Sequence, residues 1–125
     1  MVKSVLIADD NAFIRQGLCE LFNREADFEV CGEAENGSEA IEEAQGLHPD
    51  LILLDLSMPV MNGLDAARAL KRCMPEVPLI MFSAYSDSFT EKEARSAGIS
   101  ALVSKSEHMS VLIGKARSLL YQIAA

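Results

Sequence analysis

The sequence predicts an α/β protein in which helices cover both faces of a parallel sheet, and two observations support this. Five short apolar segments, rich in Val, Ile and Leu, alternate with five segments that are amphipathic or end in helix-stop signals. Uninterrupted apolar runs are typical of strands buried on both faces, as in a parallel sheet. Strict alternation of strands and helices favours crossover connections that place helices on both sides of such a sheet. Functional residues are then expected at the carboxyl ends of the strands.

The five predicted strands differ in length and polarity. The second is the most polar, which is typical of a strand at the edge of a sheet. Proline or Asn-Gly pairs stand near several of the predicted boundaries, where they favour turns. The predicted strands cover residues 3–8, 28–35, 51–54, 77–82 and 100–103.

Each predicted helix has a start or stop signal in the sequence. Asn11 is expected to cap the first helix and Ser38 the second, which should end near Gly46. The third is predicted over 64–73, and the fourth over 88–97 with Gly98 as its stop. The first and last helices carry continuous apolar stripes at helical spacing. These stripes consist of Ile14, Leu18, Leu21 and Phe22, and of Met109, Leu112, Ile113, Ala116, Leu120 and Ile123.

The overall composition narrows the class of protein. A chain of 125 residues is long enough for one domain with its own core. The three cysteines, Cys19, Cys31 and Cys73, show no paired spacing, so we expect buried or half-buried thiols in a reducing compartment. No segment has the pattern of a signal peptide or a membrane span, and we expect a cytoplasmic protein.

The charge of the chain argues against direct binding to nucleic acid. The formal net charge is −8, and residues 1–65 carry 14 acidic against 3 basic side chains. Such an acidic surface repels a phosphate backbone. The C-terminal half is mildly basic, and we interpret most of its charges as solvated helix faces.

Polar residues stand at the carboxyl ends of four predicted strands. Asp9 and Asp10 follow the first strand, Asp55 the third, Ser83 the fourth, and Lys105 lies just after the fifth. Three carboxylates that meet at one edge repel one another, and Mg²⁺ is the cation that best suits a few carboxylate ligands. An ammonium and a hydroxyl nearby can hold a phosphoryl group. These are the groups needed for phosphoryl transfer onto a carboxylate, with Asp55 as the best nucleophile.

Four motifs together resemble the receiver domain of two-component response regulators, the family that includes the stand-alone chemotaxis regulator. They are VLIADDN, LILLDLSMPVMNG, IMFSA and LVSK, in this order and at this spacing. The likeness covers essentially the whole chain, so residues 1–125 are expected to be one receiver domain without an effector domain. IADDNAFIRQGL and CGEAENGSEAI look most similar to receivers that precede LuxR-type helix-turn-helix domains. The resemblance implies a flavodoxin-like, doubly wound sheet with five helices and strand order 2-1-3-4-5.

The resemblance also implies how the site works. Asp55 would accept a phosphoryl group from a histidine kinase, a phosphotransfer protein or a small phosphodonor. Mg²⁺ would be bound directly by Asp10, Asp55 and the backbone carbonyl of Ser57, and by Asp9 through water. The only chemistry expected is self-phosphorylation and autodephosphorylation, so the chain is not expected to be an enzyme with a free substrate.

The same resemblance implies a route from the site to an output. Lys105 would pair with Asp55 and then with the phosphate, and Ser83 would turn toward the phosphate and move its loop. Ser57 and Tyr85 occupy positions that modulate the lifetime of the phosphate in this family. The output face would be formed by the fourth helix, the fifth strand and the fifth helix, about residues 88–121. It would contact a downstream effector domain or protein, or a second copy of the chain in a homodimer.

Two positions depart from the pattern of the family. Many receivers have an aromatic residue three positions before the lysine, where this chain has Leu102. Many also have proline after the lysine, where this chain has Ser106, and a bond before serine lacks the cis tendency of a bond before proline. Both departures point slightly toward an alternative, a pseudo-receiver that uses the fold only to bind proteins. The intact set of site residues argues strongly against that alternative; it consists of Asp9, Asp10, Asp55, Ser83 and Lys105.

Two further classes fit the sequence less well. Phosphatases with an aspartate nucleophile typically carry a D-x-D-x-T pattern on the first strand, whereas Asp55 follows the third strand and precedes Leu-Ser. A flavin-binding domain needs a phosphate-binding loop after the first strand, where the acid pair would repel a phosphate. The pair Asp9 and Asp10, taken alone, also has a purely structural explanation, because acids near the amino terminus of a helix are favoured by the helix dipole.

Overall fold

The computed structural model describes residues 2–84 and 88–121, without the side chains of residues 88 and 89. Five strands form one parallel sheet in the order β2-β1-β3-β4-β5, and five helices connect and follow them. This is the predicted doubly wound, flavodoxin-like fold. The strands are β1 (Lys3–Ala8), β2 (Phe28–Ala34), β3 (Leu51–Asp55), β4 (Leu79–Ser83) and β5 (Ala101–Ser104). The helices are α1 (Ala12–Asn23), α2 (Gly37–Leu47), α3 (Gly63–Cys73), α4 (Ser88–Ser96) and α5 (Met109–Leu120).

Two hydrophobic clusters cover the two faces of the sheet, because alternate residues of each strand point in opposite directions. On one face, Leu18 and Phe22 of α1 pack with Leu112, Ile113 and Ala116 of α5. On the other face the helices present mainly alanines, which let α2, α3 and α4 approach the sheet closely. The helix residues in this second cluster are Ala40, Ala44, Ala66, Ala67, Leu70 and Ala94. Strands β3 and β4 are buried along their whole length, as their apolar runs predict.

The start of α2 differs from the prediction. Asn36, and not Ser38, caps the helix, since the Asn36 side chain accepts the Glu39 N–H at 2.9 Å. The reason is a tertiary contact: the N–H of Gly37 donates to the Met61 carbonyl at 2.9 Å, and the helix begins two residues earlier than predicted. This bond also ties α2 to the loop after β3.

The end of α2 also differs from the prediction. The helix continues through Gly46 to Leu47, whose side chain lies against β2 at Gly32. His48 then ends the helix in the left-handed region at φ 50°. An exposed histidine therefore takes the place in which a glycine was expected.

The remaining boundaries shift by small amounts. Strand β2 ends one residue earlier than predicted, and β3 includes Asp55 itself. Strand β4 begins at Leu79 because Val77 is held in a turn by a bond from its N–H to the Met74 carbonyl, and Pro78 has no N–H for a ladder. Helix α4 ends at Ser96, and Gly98 follows with φ 97°. Helix α5 ends at Leu120, and Ile123 of the predicted stripe lies outside the described residues.

The thiols only partly match the prediction. All three cysteines are free, and Cys19 and Cys31 are half-buried, but Cys73 is exposed. It is the last residue of α3, beyond the buried turns of that helix. The described helices include none with the length and apolar character needed to cross a bilayer.

The amino ends of β1 and β3 are joined by a reciprocal set of hydrogen bonds. The N–H of Ser4 donates to Asp50 Oδ2 at 2.8 Å, and the Ser4 hydroxyl lies 3.2 Å from the same oxygen. The N–H of Asp50 in turn donates to the Ser4 carbonyl at 2.9 Å. This edge of the sheet is therefore fixed by side chain and backbone together.

Candidate functional site

The acid pair after β1 lies at the carboxyl edge of the sheet, with one buried and one exposed member. Asp9 is 1% exposed, whereas Asp10 is exposed. Asp9 Oδ1 accepts the N–H of Asn11 at 2.9 Å. Asn11 caps α1 as predicted, since its side chain accepts the N–H groups of Phe13 and Ile14. The helix cap thus also fixes the direction of the Asp9 carboxylate.

Asp55 is the last residue of β3, and it is 5% exposed. Its carboxylate, that of Asp9 and that of Asp10 each place an oxygen within 4.8 Å of the others. The strand order explains this meeting, because β1 and β3 are adjacent and parallel. The predicted convergence of the three acids is therefore present in the structure.

Lys105 follows β5 and reaches back across the sheet edge to two of these acids. Its Nζ lies 3.1 Å from Asp55 Oδ1 and 3.5 Å from Asp9 Oδ2. Nζ also lies over the Phe82 ring, 5.7 Å from its centroid. The backbone N–H of Lys105 donates to the carbonyl of Ser83 at 2.7 Å. Ser83 itself is the fully buried last residue of β4.

The donor set suits a small hard cation. Carboxylate oxygens are preferred ligands of Mg²⁺, which keeps several waters and therefore needs few protein ligands. Both oxygens of Asp9 already have partners, in Asn11 and Lys105. Asp10 is exposed, and so is Ser57 at the start of the loop after β3. The arrangement therefore fits direct binding by Asp10 and Asp55 and a more remote role for Asp9.

Burial is the main influence on the Asp55 carboxyl group. Loss of solvent raises the pKa of Asp55 above its ordinary value of 3.8, and the nearby Asp9 charge raises it further. The ammonium of Lys105 and the backbone N–H of Ser57 act in the opposite direction, but do not outweigh these effects. Without a bound cation, the ionised carboxylate is therefore destabilised in the folded protein.

This shift gives a stability prediction for Asp55→Asn. Because the folded-state pKa of Asp55 is raised, its favourable contribution is complete below the ordinary value of 3.8 and is lost as pH rises through the folded pKa. In EDTA, Asp55→Asn should therefore raise the free energy of unfolding at neutral pH, by about 1 kcal/mol, while Lys105 keeps Asp9 as its partner.

Urea unfolding followed by circular dichroism, from below the ordinary pKa of 3.8 up to neutral pH, measures this difference. The gain from Asp55→Asn should grow with pH and should shrink when Mg²⁺ is added, because the cation stabilises the wild-type acid cluster more. A gain that stays constant with pH in EDTA would contradict the assignment.

Several residues that support the site were not identified from the sequence. Gly63 packs directly on the backbone of Asp55, and a Cβ there would overlap the Asp55 carbonyl oxygen. Arg15 donates from Nη1 to the Asp9 carbonyl at 2.7 Å and from Nε to Glu33 at 3.0 Å. These contacts depend on how the loops after β1 and β3 fold back on the strand ends, so the sequence pattern does not reveal them.

The structure describes the surroundings of the two positions that depart from the family pattern. Leu102 is half-buried on β5 and lines a hollow of about 150 Å³ with Ala94 and Ile99. The Lys105–Ser106 peptide bond is not cis. Tyr85, which the resemblance links to the lifetime of the phosphate, lies outside the described residues.

The doubly wound fold and the acid-lined edge are accompanied by a match to one family. The model of the response regulator receiver domain matches residues 5–117, and the chain belongs to this family. It is a receiver domain of two-component systems.

Known relatives support this assignment. The chemotaxis protein CheY of Thermotoga maritima is 40% identical over 105 residues, which are 84% of this chain and 87% of that protein. A protein-glutamate methylesterase/protein-glutamine glutaminase of Pyrococcus abyssi is 48% identical over 87 residues, 70% of this chain. The match spans only 23% of the length of that relative.

Solved structures show the same architecture. The response regulator domain of Thermotoga maritima CheB matches with a TM-score of 0.90 and 29% identity, over 97% of this chain and 98% of that chain. A LuxR-family response regulator from Aurantimonas shares the fold at 24% identity, with a TM-score of 0.93 over 98% of this chain and 87% of that one.

Proposed function

We propose that this receiver domain accepts a phosphoryl group on Asp55. The observation that carries the proposal is the contact of 3.1 Å between Lys105 Nζ and Asp55 Oδ1 at an edge where three carboxylates meet. The lysine brings a fixed positive charge to the oxygen that would be modified. A salt bridge that only stabilised the fold would need Lys105 and Asp55 alone, without Asp9 and Asp10 beside them.

The proposed reaction transfers a phosphoryl group from a phosphorylated donor to the Asp55 carboxylate. One oxygen of Asp55 attacks phosphorus, the bond from phosphorus to the donor breaks, and an acyl phosphate forms on the aspartate. With phosphohistidine the bond that breaks is P–N, and the imidazole keeps the electron pair and takes up a proton. With acetyl phosphate the bond is P–O, and acetate leaves. Lys105 and Ser83 would then hold oxygens of the new phosphate.

Mg²⁺ is the expected cofactor, bound by Asp10, Asp55 and the Ser57 carbonyl, with Asp9 acting through water. When bound, it would neutralise part of the charge on the carboxylates and on the transferred group. The protein supplies the rest of the environment. The backbone N–H of Asn11 donates to the Asp9 carboxylate and Arg15 donates to the Asp9 backbone carbonyl, so Asp9 is held at both groups. Strand β3 places Asp55 at the same edge.

The proposed phosphoryl donor is a histidine kinase or a phosphotransfer protein. Phe13, 84% exposed at the start of α1, offers an apolar contact beside the site. It lines a mainly apolar groove with Met109 that reaches Lys105. Such exposed aromatic side chains are common anchors in protein interfaces.

The proposed output surface is the face formed by α4, β5 and α5. Phosphorylation would add a dianion next to Lys105, which directly follows β5, and the change would pass to the hollow beside Leu102. A downstream effector domain, an effector protein or a second copy of this chain would bind there.

Mass spectrometry after incubation with acetyl phosphate and Mg²⁺ tests the proposal. The wild type should gain the mass of one phosphoryl group, and peptide mapping should place it on Asp55. EDTA or Asp55→Asn should abolish the gain. Asp65→Asn, which changes an exposed acid at the start of α3, should leave it intact. A folded wild type that gains no mass in Mg²⁺ would exclude the phospho-acceptor and favour the pseudo-receiver.

A further inference from the structure

The turn after β5 contains a closed set of hydrogen bonds around Lys105. Ser104 is nearly buried, and its hydroxyl accepts the N–H of Ser106 at 3.2 Å and lies 2.7 Å from the Ser106 hydroxyl. The N–H of Glu107 donates to the Ser104 carbonyl at 3.0 Å. The Glu107 carboxylate reaches back and accepts the N–H of Ser104 at 3.1 Å.

Ser104 and Glu107 have the spacing of a capping box, in which a serine side chain and a glutamate side chain accept each other's backbone N–H groups. Glu107 takes its part in that motif here, but the Ser104 hydroxyl accepts the N–H of Ser106, and the Glu107 N–H donates to the Ser104 carbonyl. This modified box does not begin α5, which His108 caps by accepting the N–H of Ser110. It instead closes the turn whose second residue is Lys105.

We infer that Ser104, Ser106 and Glu107 form a clip that positions Lys105 against Asp55. The clip takes over a task that proline performs where it follows the lysine, because proline restricts the backbone by its ring. Serine at 106 leaves the backbone freer and adds an N–H that needs an acceptor. Ser104 supplies this acceptor, and Glu107 secures Ser104 from the other side.

The geometry shows why a loosened turn would matter for the lysine. The backbone N–H of Lys105 donates to the Ser83 carbonyl, which is not part of the clip. The long side chain of Lys105 must hold Nζ between Asp55 and Asp9, at 3.1 and 3.5 Å. A lysine stem loses much rotamer freedom when its end is fixed, so a mobile turn would let the ammonium leave the acids.

The inferred effect of the clip on the phosphorylation rate rests on the proposed function. Two substitutions of Glu107 form a matched pair that tests it. Glu107→Ala removes the acceptor of the Ser104 N–H. Glu107→Gln removes the same charge but keeps an oxygen that can accept the bond. The three residues are positioning residues, since they act through Lys105.

The first measurement is the rate of phosphorylation by acetyl phosphate, with Mg²⁺ varied. Glu107→Ala should slow the reaction at saturating Mg²⁺ about tenfold, because a small displacement of an aligned group is costly. The Mg²⁺ concentration for half-maximal rate should stay within about twofold, since the clip contains no proposed metal ligand. Glu107→Gln should retain a rate close to that of the wild type. Equal rates for Glu107→Ala and the wild type, or equal losses in both variants, would overturn the inference.

The second measurement does not depend on phosphorylation. Acylation of lysines by a low concentration of acetic anhydride is followed by peptide mass spectrometry, with exposed Lys115 as the internal reference. Glu107→Ala should increase the acylation of Lys105 relative to Lys115, and Glu107→Gln should not. An unchanged ratio in Glu107→Ala would refute the clip even if the wild type is phosphorylated. A wild type that is not phosphorylated refutes the proposed function, and the acylation ratio then decides the clip alone.

Discussion

Lys105→Met is expected to slow phosphorylation by acetyl phosphate about 100-fold, the size of effect seen when one charge-stabilising donor is removed from an active site. Methionine is a long, unbranched side chain like lysine but carries no charge. The transferred group would then lose its fixed protein cation, and Asp55 would lose the ammonium at 3.1 Å. A time course of intact-mass spectra in saturating Mg²⁺ measures the rate.

Lys115→Met is the matched control for this variant. It makes the same chemical change on the exposed side of α5, where Lys115 borders the hollow beside Leu102. Its rate with a small phosphodonor should stay within about twofold of the wild type, since the exposed charge of Lys115 is screened by solvent and salt. If Lys105→Met also reacts at the wild-type rate, the lysine has a structural role only.

Gly63→Ala is expected to lower the free energy of unfolding by about 2–3 kcal/mol through overpacking. The N–H of Gly63 donates to the Leu56 carbonyl at 2.9 Å, which brings the first turn of α3 against the end of β3. A methyl group there would overlap the Asp55 carbonyl oxygen and lie 3.1 Å from the Leu56 Cα. Both neighbours are backbone atoms, so the strand end itself must move.

Urea unfolding followed by far-UV circular dichroism measures this loss. Gly46→Ala provides the contrast, because a Cβ at Gly46 in α2 meets no atom within 4 Å. That change should stabilise the protein by about 0.5–1 kcal/mol, as alanine normally does in a helix. A Gly63→Ala protein as stable as the wild type would show that α3 can move away from β3 without cost.

Much of the fold could be predicted because apolar runs and amphipathic stripes are local signals. All five strands and five helices occur where the sequence indicates them, and the convergence of Asp9, Asp55 and Lys105 follows from the strand order. The parts that differed depend on contacts between distant segments. Asn36 and Ser38 are equally good caps in sequence, and the bond from Gly37 to the Met61 carbonyl decides between them.

The support of the site could be predicted less well than its reactive groups. Arg15 reads as an ordinary charged residue on a helix, and only the fold brings it to the Asp9 carbonyl. Gly63 reads as part of an Asn-Gly turn, and its close contact with Asp55 appears only when the loop is folded. The spacing of Ser104 and Glu107 is visible in the sequence as a capping-box pattern. Because it stands just before α5, the pattern suggests a helix cap, and the sequence does not show that the two residues enclose the turn at Lys105.

Strand β3 has an aspartate immediately before it and another at its end, and the surroundings of the two acids differ. Asp50 receives donors from the backbone and hydroxyl of Ser4, so its carboxylate ties two strands together permanently. Asp55 meets the Lys105 ammonium, two other acids and the backbone N–H of Ser57, all of which belong to the edge where the loops leave the sheet. The two ends of β3 therefore have different surroundings, one bonded to a neighbouring strand and the other surrounded by charged side chains. If Asp55 is phosphorylated as proposed, the new charge would enter among the loops, while the bonds between Ser4 and Asp50 would hold the opposite end of the sheet in place.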